Sequence, residues 1–149
     1  MQVLIETNQS KLNNQIQSLA KQGEQVIILG KNDDFNRKIL ENKKVNMLIL
    51  NEDLIQKDYM KQRNSGLNEI LCKLATKNNI TIAIELDKIL KKTEIEKAKS
   101  LARLKQNITL CKRTKTNLIA ISKQPKKLIQ SLFLTLGAST QQAKKATEN

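Results

Sequence analysis

Five short, almost unbroken runs of aliphatic residues constrain the fold more than any other feature of the chain. They are Val3-Leu4-Ile5, Val26-Ile27-Ile28-Leu29, Met47-Leu48-Ile49-Leu50, Ile80-Thr81-Ile82-Ala83-Ile84 and Leu118-Ile119-Ala120-Ile121. Each is too short for an ordinary helix and none alternates apolar with polar, so they suit strands covered on both faces, as in parallel sheets. Amphipathic stretches lie between them. Residues 9–21 place Leu12, Ile16, Leu19 and Ala20 at helical spacing, with Gly23 as a stop. Residues 33–43 carry Phe35, Ile39 and Leu40, and residues 66–77 carry Leu67, Ile70, Leu71, Leu74 and Ala75. Further helices are expected over 94–114, 126–135 and 139–147, with Pro125 opening the first of the last two. Strands alternating with helices imply an α/β fold with right-handed crossovers and a mostly parallel sheet. The 149 residues fit one domain over 1–149, with no internal repeat, low-complexity tract or linker.

Charge is the second constraint. Lys and Arg number 27 against 14 Asp and Glu, a formal charge of +13, and histidine is absent. The first 90 residues hold 13 basic and 11 acidic side chains, whereas the last 59 hold 14 basic and 3 acidic. Positive charge concentrated in this way favours a polyanion, nucleic acid first and an anionic membrane surface second. No apolar run approaches the ~20 residues of a membrane span. The N-terminus lacks the basic and long apolar regions of a secretory signal. Without histidine there is no His-based zinc site, no Ser-His-Asp triad and no histidine base. Cys72 and Cys111, 39 residues apart, read as reduced packing residues in a reducing, cytoplasmic setting.

Three segments can carry chemistry. Asn51 to Ser65 follows a strand and opens a helix, which puts it at the carboxyl end of the sheet, where sites form. Asn64 or Ser65 as cap, Gly66 for close approach and the charges of Lys61 and Arg63 would make a phosphate-sized anion site at the helix N-terminus. An ordinary cap with solvated charges accounts for the same residues, and both readings stay open. The helix over 94–114 has a core stripe of Leu101, Leu104, Ile108 and Cys111. Roughly opposite lie Lys99, Arg103, Gln106, Leu110 and Arg113, which can track a phosphate backbone or simply face solvent. Lys123-Gln124-Pro125-Lys126-Lys127 forms a third basic tract after the last strand. Only Phe35, Tyr59 and Phe133 carry rings, so contacts should be to backbone and shape rather than to stacked bases. The carboxylates are dispersed: Asp33 and Asp34 fit a helix start, and Glu85 and Asp87 follow the fourth strand. Metal-dependent hydrolysis needs converging ligands. No catalytic residue and no metal ligand is assigned.

The stretch Gln62-Arg63-Asn64-Ser65-Gly66-Leu67-Asn68, with Leu71-Cys72-Lys73-Leu74-Ala75 and Ile82-Ala83-Ile84-Glu85, resembles protein component 3 of ribonuclease P, an archaeal and eukaryotic family. Asn36-Arg37-Lys38, Val45-Asn46-Met47-Leu48, Ala98 to Cys111, Leu118 to Ser122, Leu136-Gly137-Ala138 and Ala143-Lys144-Lys145-Ala146 agree, over roughly residues 25–147. The resemblance implies a TIM-barrel-like parallel βα repeat, related to the polymerase-and-histidinol-phosphatase superfamily but without its metal site. A closed barrel uses about eight strands and ~200 or more residues. Five runs therefore imply a shortened member, lacking the family's N-terminal βα units, with an incomplete or open barrel whose edges a partner covers.

The same resemblance implies a ribonuclease P subunit. It would bind the catalytic RNA beside protein component 2 and other holoenzyme proteins, and support removal of 5′ leaders from precursor tRNA, which it meets indirectly. The RNA would use Mg²⁺; the protein would bind no cofactor and would not itself be catalytic. The expected RNA-binding residues are Arg37, Lys57, Lys61, Arg63, Ser65, Gly66, Lys99, Arg103, Arg113 and Lys123. A metal-dependent phosphoesterase on the same fold and an unrelated ribosomal or RNA-binding module are the alternatives. Phosphate neutralisation at six or more positions predicts a log–log salt slope of RNA affinity of about −4 or steeper. A potassium chloride series read by fluorescence anisotropy measures it, and a slope near zero overturns the electrostatic reading.

Overall fold

A computed structural model describes residues 2–54 and 57–148. Ile55 and Gln56, inside the Asn51–Ser65 loop, and the two terminal residues of the 1–149 span lie outside the described residues. Five strands form one parallel sheet in chain order: β1 (Val3–Leu4), β2 (Ile27–Leu29), β3 (Met47–Leu50), β4 (Thr81–Glu85) and β5 (Leu118–Ile121). The aliphatic runs thus mark every strand. Helices α1 (Gln9–Lys21), α2 (Asp33–Leu40) and α3 (Glu69–Lys77) join the first four strands. Between β4 and β5 come α4 (Leu86–Leu90) and α5 (Glu94–Thr114), and α6 (Lys126–Thr135) and α7 (Thr140–Lys145) close the chain.

Each crossover steps one strand in the same direction, so the helices gather on one face. There Ile28, Leu48, Leu50, Ile82, Ile84 and Ala120 pack against Leu12, Ile16, Ile39, Leu71, Leu104, Ile108 and Phe133. The opposite, inner face is apolar too, with Ile27, Ile49, Ala83 and Ile119 in a second buried cluster. Apolarity on both faces is why the runs do not alternate. This is the winding of a parallel βα barrel, and the sheet does not close: β1 and β5 are its two edges. At the β5 edge the Ala120 amide donates to the Ala146 carbonyl at 2.9 Å, so the C-terminal turn covers part of it.

Local chemistry explains the boundaries. The N-cap of α1 is Asn8, whose side chain accepts from the Ser10 and Lys11 amides, and the chain leaves α1 through Gly23 at φ +73°. Ser139 and Gln142 form a reciprocal capping box on α7. Helix α3 begins three residues later than the 66–77 pattern suggests. Gly66 sits at φ +79°, outside helical space, and the cap is Asn68, which accepts from the Leu71 amide. The five-residue α4 escaped the sequence reading because it follows β4 without any turn residue. Cys72 and Cys111 are both unpaired and buried, as expected of packing residues.

One buried polar residue organises the carboxyl end of β2. The Asn36 carbonyl oxygen accepts from the Lys31 amide at 2.8 Å, and its amide donates to the Lys31 and Gly66 carbonyls at 3.1 and 2.8 Å. Gly30 makes room for it: a Cβ there would lie 2.8 Å from Asn36 Oδ1 and 3.0 Å from the Ile49 carbonyl. Asn36→Ala strands these backbone groups and should cost about 2–3 kcal/mol. Thermal unfolding would then shift down by roughly 5–10 °C; an unchanged midpoint would refute the assignment.

Candidate nucleic-acid interface

The segment from Lys57 to Asn68 has little regular structure, yet it is tied down at almost every residue. Asp58 is its inner staple: Oδ1 accepts from the Asn64 amide at 2.8 Å and Oδ2 from Arg63 Nη1 at 3.3 Å. The Asn64 side chain returns to the Lys57 carbonyl at 3.2 Å. Helix α5 supplies the outer clamps. Gln106 grips the Arg63 backbone from both sides, accepting its amide at 2.9 Å and donating to its carbonyl at 3.0 Å. Ser65 Oγ donates to Asn107 Oδ1 at 2.7 Å, and Arg103 Nε stands 3.7 Å from Asp58 Oδ1. Asn36 holds the segment from the other side through Gly66.

This arrangement leaves a groove of about 550 Å³ between the segment and α5. Lys61 and Arg63 stand on one rim and Lys105 and Arg113 on the other, over a floor that includes Ala102 and Leu110, and none of the described residues lining it is a carboxylate. Arg113 is oriented by Glu69 Oε2 at 3.6 Å and stays 61% exposed; Arg63 is 45% exposed. Both guanidinium groups are therefore positioned but still open to a ligand. Lys105 was missed in the sequence, although its i, i+4, i+8 spacing with Thr109 and Arg113 was there to find.

The other expected residues are dispersed. Lys99 pairs with Glu96 at 3.4 Å beside a separate depression of about 340 Å³ that also holds Glu52, Lys92 and Arg103. Arg103 is largely enclosed and turned toward Asp58. Lys57 is exposed at the start of the segment. Lys123 sits past β5, its amide on Asp87 Oδ2 at 2.9 Å. Arg37 lies on α2, ion-paired to Glu41 at 3.1 Å, in a separate depression that also holds Asp33, Asp34 and Tyr59. The N-terminus of α3 lies further along the chain than the expected anion site requires. Asn68, not Asn64 or Ser65, caps α3, and Glu69 already places a carboxylate in its first turn. Ser65 and Gly66 serve the internal hydrogen bonds just described.

The carboxyl ends of the strands are closed off by lysines. Lys88 reaches Asp53 at 2.8 Å and Glu85 at 2.9 Å, and those carboxylates, Asp53 first, hold its pKa above the usual lysine value. Lys92 binds the Glu52 carbonyl at 2.9 Å, its carboxylate at 3.2 Å and Ser100 at 2.8 Å. Asp87 accepts from the Ser122 hydroxyl and the Lys123 amide, in that order the causes of its lowered pKa. Among the described residues no three Asp, Glu, Cys or His side chains are grouped to hold a metal ion. No described helix is long and apolar enough to cross a membrane.

An open parallel βα half-barrel with a lysine- and arginine-lined groove on its helical flank defines the class of surface at hand, one whose charge suits a polyanion. Comparison with known proteins places it more closely. No family model matches the chain. Ribonuclease P protein component 3 of Methanosarcina acetivorans is 32% identical over 119 residues, covering 80% of this chain and 46% of the relative. The Methanosarcina mazei protein of the same name is 31% identical, and that of Methanococcus vannielii 24%, each over 119 residues and 80% of this chain. A chain from a cryo-EM structure of archaeal ribonuclease P with mature tRNA superposes with a TM-score of 0.80 at 20% identity, covering 98% of this chain and 63% of that one. The resemblance read in the residues therefore holds: the chain is a homologue of ribonuclease P protein component 3. It spans about half the length of the curated relatives it matches.

The Gln106 clamp is directly testable. Gln106→Ala should speed hydrogen exchange at the Arg63 amide by about tenfold, equivalent to the loss of roughly 1–1.5 kcal/mol of local hydrogen bonding. Unchanged protection would mean that the segment holds itself without α5.

Proposed function

We propose that the chain serves as a protein subunit of ribonuclease P, binding the catalytic RNA to support removal of 5′ leaders from precursor tRNA. The observation that carries this reading is the groove lined by four cations, of which Arg63 and Arg113 also meet Asp58 and Glu69 at its margin, set in a homologue of component 3. The cations neutralise phosphates that would otherwise repel one another, and so favour the compact RNA fold. Protein component 2 and the other holoenzyme proteins are the proposed protein partners, and precursor tRNA is met through the RNA. The chemistry belongs to the RNA and its Mg²⁺; the protein supplies no cofactor site. A phosphoesterase on this fold would need open carboxylates at the strand ends, and Lys88 and Lys92 fill that space with ammonium groups.

Arg63→Ala in the reconstituted holoenzyme should weaken binding of the RNA several-fold and flatten the salt slope by about 0.7, one phosphate contact on RNA. The melting temperature should stay nearly constant. Arg63→Lys should restore only part of the affinity, because lysine lacks the paired donors of a guanidinium. Glu85→Gln should leave cleavage within a few-fold of the parent. Loss of cleavage in Glu85→Gln, with fold and RNA binding intact, would give the protein a catalytic ligand and overturn the subunit reading.

A further inference from the structure

We infer that the groove between residues 61–63 and α5 grips one strand of a double-helical RNA segment, in preference to unpaired RNA. This rests on the proposed function and specifies the form of RNA that the site takes.

The groove is built for phosphates at fixed positions. Its cations stand on two opposed rims, so a backbone strand lying between them is neutralised from both sides. Lys105 and Arg113 are eight residues apart on a continuous helix, a rail of about 12 Å at 1.5 Å per residue. The opposite rim is held still, because Gln106 fixes both backbone hydrogen-bonding groups of Arg63 and Asp58 holds its guanidinium. A rigid set of cations gains most from a ligand whose phosphates are already ordered, since neither side then loses much conformational freedom on binding. A duplex strand meets that condition and a flexible single strand does not.

The groove also lacks what single strands need. Proteins that hold unpaired RNA recover its ordering entropy by stacking bases on aromatic rings. No ring is among the described residues lining this groove, and the only tyrosine, Tyr59, donates instead to Asp33 at 2.9 Å. The floor is short and apolar at Ala102 and Leu110, and Gln106 spends its amide on the Arg63 backbone, so it is not available to read base edges. Recognition is left to backbone geometry, which is how double-helical RNA is usually bound.

The test uses the purified full chain and two fluorescent probes with equal numbers of phosphates: an RNA hairpin with a stem of about 16 base pairs and an unstructured uridine-rich strand. The hairpin should bind about tenfold more tightly in anisotropy titrations at one salt concentration. The double variant Lys61→Ala/Lys105→Ala, which removes one cation from each rim, should reduce the hairpin to the affinity of the single strand. Its thermal unfolding should be unchanged, because both side chains are exposed. Equal or tighter binding of the single strand, or a hairpin preference that survives in the double variant, overturns the inference while leaving the proposed function in place. Failure of the chain to bind either probe, or the ribonuclease P RNA itself, overturns both.

Discussion

The buried side chain of Asn36 ties α2 and the turn just before it to Gly66, 30 residues further along the chain. Its carbonyl oxygen satisfies the amide of Lys31 after β2, and its amide satisfies the carbonyls of Lys31 and Gly66. Without it, the turn after β2 and the segment after β3 would each bring unpaired backbone groups to the carboxyl end of the sheet, where water is largely excluded. An unpaired group there costs about 1–3 kcal/mol. The glycines at 30 and 66 follow from this constraint. A Cβ at Gly66 would come within 3.0 Å of the Asn36 amide nitrogen, and one at Gly30 closer still to its oxygen. Asn36 therefore sets the entry angle of the Lys57–Asn68 segment and, through it, the position of Arg63.

From that anchor the segment runs onto α5, and the two together line the groove. Gln106 and Asn107 hold backbone and hydroxyl groups, not charges. The polypeptide beneath the rim is thus fixed without using its charges, although Arg63 also meets Asp58 and Arg113 meets Glu69, both arginines staying partly exposed. Arg103 shows the opposite outcome: it points inward to Asp58 and is only 19% exposed. Adjacent residues on one helix therefore serve different ends. Residues 103, 106 and 107 secure the segment; residues 105, 109 and 113 face the groove.

The strands were legible because their aliphatic runs have no competing interpretation, and the inner cluster of Ile27, Ile49, Ala83 and Ile119 explains why those runs show no alternation. The cationic character of α5 was legible as well. The face it uses was not, because a 21-residue helix bearing charges almost all round gives no sequence signal for which face meets the 57–68 segment. The start of α3 was misplaced for a similar reason. Asn64, Ser65 and Asn68 are all good caps, and only the left-handed backbone of Gly66 decides among them. The acidic setting of Arg37 was legible in the spacing, since Asp33, Asp34 and Glu41 lie four and three residues before it and four after it on and beside α2.

The position of the groove also explains how an open sheet can carry it. Barrel enzymes assemble their chemistry from several strand ends, and closure brings those ends together. Here the strand ends are neutralised by Lys88 and Lys92, and the cations that remain available stand on the helical flank. That flank needs only α2, the segment before α3, and α5, which are neighbours within the five βα units described. Nothing in the groove depends on contact between β1 and β5. A scaffold that binds a polyanion along its side can therefore tolerate an unclosed sheet, whereas one that converged ligands at the barrel mouth could not.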